Sequence, residues 1–300
     1  MLGDMTRIAA TSSGSNTFAR RSFASKPGTD FSEASGAKSY YFFHVPKTGG
    51  RTVIKYLENL YGLTSIVHPS RRNSIIRDLF LKEKFVAEQT IAKGPIVGHY
   101  APLSLLRGRE DSYYKVCNWR HPARWLLSLY NYRHHRKSKA IKNKFEFVDF
   151  RRSMLRNPMT EHLLLYCAEV RGWTYFFMSD KRKFDRACAI IEQFDRFDDI
   201  AKVDDLLGFI GHESMHRPSN KNVLSHDETV LHYVDRATMN EIERENPVDF
   251  LLHKIALGEQ IRYVRDEAEN VLSRVFEPRD IVRLLLLPYY RYKTWVAPFK

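Results

Sequence analysis

Residues 40–57 read YYFFHVPKTGGRTVIKYL. Four aromatic residues precede His44, and such a run is typical of a buried strand. Pro46 ends the strand, because proline has no N–H group to give to a ladder of hydrogen bonds. A short loop with two glycines follows, and apolar residues then recur at helical spacing from Val53 to Leu57. The stretch therefore predicts a strand, a tight turn and the N-terminus of a helix.

The turn after this strand is suited to binding an anion. Backbone N–H groups and the positive end of the helix dipole converge at such a point, and glycine lets a ligand approach the backbone closely. The loop also supplies one lysine, one arginine and two threonine hydroxyls. We therefore predict a phosphate or sulfate site formed by Lys47, Thr48, Gly49, Gly50, Arg51 and Thr52. The alternative is an ordinary strand-to-helix turn that contains a lysine.

Composition indicates a globular protein with an anionic partner. The chain has 300 residues, of which 43% are hydrophobic and 13% aromatic, enough for one large domain or two small ones. The net charge of +13 favours a nucleotide, a polyanionic glycan, a nucleic acid or a membrane surface as partner. The three cysteines lack metal-type spacing, so buried free thiols are expected. No apolar run reaches about 18 residues, so no transmembrane helix is predicted.

The chain divides into a tail and a folded domain. Residues 1–37 are rich in Ser, Gly, Thr, Ala and Arg, lack periodicity and predict a disordered tail. Residues 38–300 are expected to form the domain. Further strands are predicted at residues 63–68, 94–99, 113–119 and 200–203. Helices are predicted at residues 75–89, 102–106, 123–136, 147–155, 160–170, 184–194, 204–210, 236–245 and 248–258, with more helix towards the C-terminus.

Strands that alternate with helices predict a parallel sheet covered on both faces. Ligands of such sheets lie at the carboxyl ends of the strands. Three predicted strands end in chemically suggestive residues, namely Lys47, His99 and Arg120. We therefore expect these side chains to meet at one edge of the sheet.

A second candidate motif lies after the strand predicted at residues 113–119. Arg120 follows that strand, and Ser128 lies about two turns into the next helix. An arginine that donates two hydrogen bonds, together with a hydroxyl, forms a suitable clamp for a phosphate. The alternative is that Arg120 caps the strand and Ser128 is a surface residue.

The two motifs together resemble a known family. P-K-T-G-G after a first strand, with R-H-P-x-R-x-x-x-S about seventy residues later, resembles the sulfotransferases that use 3′-phosphoadenosine 5′-phosphosulfate. The resemblance is strongest to the glycan group that includes the heparan sulfate 2-O- and 6-O-sulfotransferases and their bacterial relatives. It covers roughly residues 40–256. Weaker similarities occur at residues 98–99, 157–160, 243–246 and 249–250.

The resemblance implies a fold and a set of roles. The fold is a P-loop-like, three-layer α/β fold with a central parallel sheet flanked by helices. Residues 47–52 would hold the 5′-phosphosulfate of the donor, whereas Arg120 and Ser128 would hold its 3′-phosphate, with no metal required. Lys47 would stabilise charge on the leaving phosphate.

The general base for the acceptor hydroxyl is expected to be His99. It lies at a strand end and has a near-neutral ordinary pKa, and the resemblance assigns a histidine at this place the same role. The alternative is that His99 is structural, and Glu161 is then the next candidate. His44 is expected to pack within the fold. The acceptor is predicted to be a glycan or another hydroxyl compound, anionic glycans included, and not a nucleic acid.

The chain departs from the family pattern at two points. Arg51 stands where the family usually has Ser or Thr, so Thr52 or the guanidinium of Arg51 must replace that hydroxyl. Animal Golgi members carry an N-terminal membrane anchor, and none is evident in this sequence. A soluble, cytoplasmic, bacterial enzyme is therefore expected in preference to one of the Golgi lumen.

Two other functions remain open on the sequence alone. A P-loop-like kinase needs a Walker loop, in which lysine follows the glycines, and a carboxylate for Mg²⁺, and neither is evident. A basic nucleic-acid-binding protein would use the net charge of +13 but would have no use for residues 46–52. Binding of 3′-phosphoadenosine 5′-phosphate, of ATP with Mg²⁺ or of an oligonucleotide separates the three.

Overall fold

The fold is described from a computed structural model of the chain. The residues described are 38–62, 94–138, 147–152, 154–211 and 235–272. Predictions that lie outside them are the tail at residues 1–37, the strand at 63–68, the helix at 75–89 and the C-terminal helix beyond residue 272.

A four-stranded parallel sheet forms the centre of the described structure. Its strands are β1 (Ser39–Phe43), β2 (Ile96–Gly98), β3 (Tyr113–Trp119) and β4 (Arg196–Asp199). Their order is β2-β1-β3-β4, and each neighbouring pair is parallel. The predicted α/β class with a parallel sheet is therefore confirmed.

The strand predicted at residues 200–203 is wrong. Ile200–Lys202 forms a 3₁₀ turn, and β4 ends immediately before it. The sequence of β4 is RFDD, which lacks the apolar run that indicates a strand. Its pairing with β3 places Asp198 opposite Asn118. Backbone pairing rather than side-chain hydrophobicity thus sets this strand.

Helices connect and cover the strands. They are α1 (Gly50–Tyr61), α2 (Pro122–Ser138), α3 (Phe147–Arg152), α4 (Pro158–His162), α5 (Gly172–Phe177), α6 (Asp180–Ile191), α7 (Val203–Ile210), α8 (Arg236–Glu245), α9 (Pro247–Leu257) and α10 (Ile261–Val271). Most predicted helices are confirmed with shifted ends. The segment predicted as one helix at residues 160–170 instead contains the end of α4 and a π-helical turn, Leu163–Cys167. Helix α5 was not predicted.

The side chains of β1 alternate between two hydrophobic cores. Tyr41 and Phe43 are fully buried in a core that includes residues of α2, α6 and α9. Tyr40 and Phe42 lie in a second core with residues of α1 and α7. Because both faces of the sheet are covered, β1 reads as a continuous apolar run rather than as an alternating pattern. In the part of the chain described, no helix has the length and apolar character needed to span a membrane.

The three cysteines are buried free thiols, as the sequence predicts. Cys117 lies in β3, Cys167 in the π-helical turn and Cys188 in α6. Burial raises the pKa of the Cys167 and Cys188 thiols to about 12 and that of Cys117 well above its ordinary value. All three are therefore protonated and unreactive in the folded protein.

Two helix N-termini cap one another. Each begins with an Asn-Pro pair, at Asn157 and at Asn246. The side-chain oxygen of Asn157 accepts hydrogen bonds from the N–H groups of Val248, at 2.9 Å, and Asp249, at 3.3 Å. In return, the N–H group of Asn157 donates to the side-chain oxygen of Asn246 at 2.9 Å. The first turns of α4 and α9 are thus satisfied by each other.

Asp249 completes this pair of caps. Its buried carboxylate accepts hydrogen bonds from the N–H groups of Met159 and Thr160, at 3.1 and 2.8 Å, and from the Thr160 hydroxyl at 2.5 Å. Burial raises the pKa of Asp249 to about 7, although these donors act in the opposite direction. The Trp119 indole of β3 donates to the Asp249 carbonyl at 3.2 Å. The weaker sequence similarities around residues 157–160 and 249–250 thus have a structural role here.

Replacement of Asp249 by alanine should lower the free energy of unfolding by about 3 kcal/mol or more, because three buried donors lose their acceptor. Asp249→Asn keeps one acceptor oxygen and should cost less. Chemical denaturation of the variants measures both values. Glu269→Ala is the control, because that side chain is 67% exposed in a surface ion pair, and it should change the free energy by less than about 0.5 kcal/mol. Equal losses in Asp249→Ala and Glu269→Ala would contradict the capping role.

Candidate functional site

The carboxyl ends of the parallel strands meet at one edge of the sheet, and the predicted site residues lie there. The loop of residues 44–50 follows β1, His99 follows β2 and Arg120 follows β3. Because β1 pairs with both β2 and β3, this loop lies between His99 and Arg120. The structure thus brings together the three strand ends on which the sequence prediction rests.

The loop after β1 has an unusual backbone. Lys47 has a φ of 67° and Gly49 a φ of 78°, both in the left-handed region. A non-glycine residue adopts this conformation at a cost, and such residues concentrate at functional sites. The buried Thr48 hydroxyl donates to the Val45 carbonyl at 2.8 Å, and the Thr52 N–H group donates to the Gly49 carbonyl at 3.0 Å. The Thr48 hydroxyl therefore holds the loop together rather than facing a ligand.

Helix α1 presents its N-terminus to this edge. Its N-cap residue is Gly49, which makes no side-chain cap, and its first turn contains no acidic residue. The first N–H groups of a helix have no partners within the helix, and they favour an anion. Arg51 is exposed and Thr52 is half-buried in the same turn. The geometry therefore agrees with the anion site that the sequence predicts.

Close contacts leave no room for a side chain at Gly50 and little at Gly49. A side chain at Gly50 would place its Cβ 2.0 Å from the His44 ring. A side chain at Gly49 would place its Cβ 2.8 Å from Ile200, which follows β4. The His44 ring is buried and stacks on Phe42 and on His99. His44 is therefore a packing residue, and the loop lies directly on it.

Arg120 joins the two predicted motifs. Its guanidinium donates to the Lys47 carbonyl at 3.3 Å, across the β1–β3 pair. Asp199 at the end of β4 is the neighbouring anion. Burial acts to raise the pKa of Asp199, but hydrogen bonds from His253 and Ala201 and the charge of Arg120 lower it below its ordinary value. An ionised carboxylate thus stands beside this arginine.

One face of α2 lies against the loop. The Trp125 indole donates to the Pro46 carbonyl at 2.5 Å, and the Lys47 ammonium lies 4.5 Å from the centre of the Tyr132 ring. Positions three and seven residues apart share a helix face, so half-buried Ser128 lies between these two contacts. The face of α2 that carries Ser128 is therefore the one nearest to Lys47.

His99 is held in a defined tautomer. Its Nδ1 lies 2.6 Å from the His44 carbonyl oxygen, and the two rings stack with their centres 4.2 Å apart. Because a carbonyl only accepts hydrogen bonds, Nδ1 carries the proton, and Nε2 is the proton acceptor of the neutral ring. Desolvation by burial lowers the pKa of His99 below its ordinary value, although the bond to His44 acts against this. His99 is therefore neutral at pH 7.

Glu161, the second candidate base, lies directly before His162. It follows Thr160 in α4, and its charge acts on Tyr175 and on Asp249, raising the pKa of each. Its carboxylate thus acts on the paired helix caps. In the part of the chain described, no group of three or more His, Cys, Asp and Glu residues could hold a metal ion.

Sequence reasoning missed three residues near the loop, namely Trp125, Tyr132 and Asp199. The spacing of Trp125, Ser128 and Tyr132 on one predicted helix contained a usable signal, because these positions share a face. No sequence signal marked Asp199, since β4 itself was not predicted.

Comparison of the chain with family models, with curated proteins and with solved structures finds no match.

Replacement of Gly50 by alanine should destabilise the protein by about 1–3 kcal/mol, because the added methyl group overlaps the His44 ring. Gly208→Ala is the matched control: this glycine lies in α7, and nothing lies within 4 Å of an added Cβ. That change should be neutral or stabilising by up to about 1 kcal/mol. Thermal unfolding of both variants measures the difference. If both unfold at the wild-type temperature, the close contact between His44 and Gly50 is wrong.

Proposed function

We propose that the protein is a sulfotransferase that moves a sulfuryl group from 3′-phosphoadenosine 5′-phosphosulfate to a hydroxyl of a carbohydrate acceptor. The fold would then be the P-loop-like, three-layer type. One observation carries the proposal: the hydrogen bond from Arg120 to the Lys47 carbonyl. It brings into contact two motifs that lie far apart in the sequence and that resemble the two halves of one donor site.

The proposed donor spans these two motifs. Its 5′-phosphosulfate lies at the N-terminus of α1, where Lys47, the backbone N–H groups of the loop and the Thr52 hydroxyl surround it. Its 3′-phosphate lies between Arg120 and Ser128. Thr48 contributes through its backbone N–H group, because its hydroxyl is bonded to Val45. Arg51, exposed at the first turn of α1, adds charge where the family has a hydroxyl.

The reaction forms one bond and breaks another at sulfur. The acceptor oxygen attacks in line as the bond from sulfur to the 5′-phosphate oxygen breaks, and 3′-phosphoadenosine 5′-phosphate leaves. As in phosphoryl transfer, catalysis depends on positioning and on stabilising charge where it develops. Lys47 stabilises the negative charge that builds on the leaving phosphate. Its ammonium lies against the exposed Tyr132 ring, from which a flexible side chain can reach the donor.

His99 acts as the general base in this proposal. The His44 carbonyl holds the Nδ1 proton, so Nε2 accepts the proton of the acceptor hydroxyl. In the part of the chain described, the rings of His44, His162 and Tyr100 lie around His99. His44 has a pKa well below its ordinary value, through burial first and then through His99, His162 and Lys47. A neutral His44 adds no charge beside the base.

The donor site is tested by replacing Arg120. Arg120→Ala should weaken binding of 3′-phosphoadenosine 5′-phosphate by about 2–3 kcal/mol, the scale of a lost charge-assisted contact. Arg186→Ala, on the exposed surface of α6, is the matched control and should leave affinity unchanged. Calorimetric titration measures both, with ATP plus Mg²⁺ and an oligonucleotide as competing ligands. If a folded Arg120→Ala protein binds 3′-phosphoadenosine 5′-phosphate as tightly as the wild type, Arg120 does not bind the 3′-phosphate. If the wild type binds ATP with Mg²⁺ or the oligonucleotide more tightly, a kinase or a nucleic-acid-binding protein is favoured instead.

The catalytic role of His99 predicts a pH profile. A base must be neutral to accept a proton, so activity falls as pH drops through its pKa. Because the pKa of His99 is lowered, activity should persist below pH ~6.5, the ordinary value for histidine, and decline only at lower pH. His99→Ala should reduce turnover by about 10²–10⁴-fold and leave donor affinity nearly unchanged. Melting temperature, donor affinity and turnover are measured on one preparation. A folded variant that binds donor and retains near-normal turnover would exclude His99 as the base.

A further inference from the structure

Three half-buried rings form a cluster beside His99. Tyr100 follows it in the chain, and His162 and Tyr166 come from the end of α4 and the π-helical turn. The rings of Tyr100 and Tyr166 lie 4.8 Å apart at 84°, and those of His162 and Tyr166 lie 4.8 Å apart at 55°. Tyr100 and His162 are 6.0 Å apart. We call Tyr100, His162 and Tyr166 the ring cluster.

The backbone that carries the ring cluster is irregular. The N–H group of Ala168 donates to the Leu163 carbonyl at 3.1 Å, which is π-helical spacing, and the N–H group of Val170 donates to the Leu164 carbonyl at 2.8 Å. Glu169 then has a φ of 52°, in the left-handed region. Wide turns of this kind are rare and occur frequently at functional sites. Here the turn keeps Leu163 and Leu164 buried in the core while Tyr166 is half-buried beside Tyr100.

The ring cluster lies beside His99, at the edge of the sheet that also carries the proposed donor site. The strand order β2-β1-β3 places the loop after β1 and Arg120 on one side of His99. His99 contacts Tyr100, at 6.2 Å between ring centres, and His162, at 6.1 Å, and His162 also packs against Phe43 of β1 at 5.6 Å. In an in-line transfer the acceptor reaches sulfur from the side opposite the leaving group, and its hydroxyl touches the base. An acceptor whose hydroxyl reaches His99 therefore lies next to the ring cluster.

The chemistry of the ring cluster matches a sugar ring. Tyrosine and histidine rings offer apolar faces together with polar tips that donate and accept hydrogen bonds. A pyranose offers the complementary pattern, with C–H groups on its faces and hydroxyls at its rim. Binding pockets of this kind combine aromatic walls with a few polar groups. We propose that Tyr100, His162 and Tyr166 form a subsite for one sugar ring of the acceptor, an inference that rests on the proposed function.

The test measures glycan binding rather than turnover. Wild-type protein, saturated with 3′-phosphoadenosine 5′-phosphate, is applied to an array of neutral and anionic oligosaccharides, and the strongest glycan is then titrated. Tyr166→Ala and Tyr100→Ala should each weaken its binding by about tenfold, the scale of a lost aromatic contact. Tyr166→Phe keeps the ring and should bind within about threefold of wild type. Tyr263→Ala is the matched control, because Tyr263 is 58% exposed on α10, outside the ring cluster.

The outcomes separate the subsite from the proposed function. Loss of glycan binding in both alanine variants, with nucleotide binding intact, supports the subsite. A wild type that binds the nucleotide but no glycan overturns the subsite and leaves the donor site standing. Binding of 4-nitrophenol in place of any glycan likewise overturns it, because the rings would then accept a flat phenol. If the wild type binds glycan through the ring cluster but does not bind the nucleotide, the sugar subsite stands and the proposed sulfotransferase function is wrong.

Discussion

The contact between the His44 ring and Gly50 is the constraint on which the rest of the site depends. The imidazole occupies the space that any side chain at position 50 would need, so α1 begins directly on top of it. The chain then turns sharply between Val45 and Gly50, with Lys47 and Gly49 in left-handed conformations. The backbone of His44 meanwhile bonds to β2 and its neighbour, through its N–H group to Gly98 and its carbonyl to His99. One residue thus sets both the anion loop and the tautomer of the candidate base.

The sequence predicted those parts of the fold in which one physical signal dominates. Strand β3 has the predicted ends, and the strand–turn–helix around residues 40–57 is present, because buried aromatic runs and glycine turns have few alternative structures. Strand β4 was missed because it is set by backbone pairing along β3 and not by apolar side chains. The π-helical turn was missed because its hydrophobic pattern is close to that of a regular helix. The loop, Arg120 and His99 were placed correctly at one edge, since parallel strands require it.

The sequence did not predict the contacts that individual site residues make. Nothing in the motif shows that the Thr48 hydroxyl is used within the loop, or that α2 contributes Trp125 and Tyr132 to its surroundings. The weaker similarities near residues 157–160 and 249–250 extended the resemblance without a predicted role. In the structure they belong to two helix N-termini, each with an Asn-Pro pair. Each N-terminus is hydrogen-bonded by a side chain about ninety residues away in the sequence. In this chain, these stretches stabilise helix ends.

Modification of the buried thiols can report local opening of the fold. Each cysteine lies in a different kind of element, and none presents a thiolate to solvent while the protein is folded. A thiol reagent therefore reacts only as fast as each element opens to solvent. The order in which Cys117, Cys167 and Cys188 become modified would rank the central strand, the π-helical turn and α6 by local stability. That ranking would show whether the irregular turn beside His99 opens independently of the sheet that supports it.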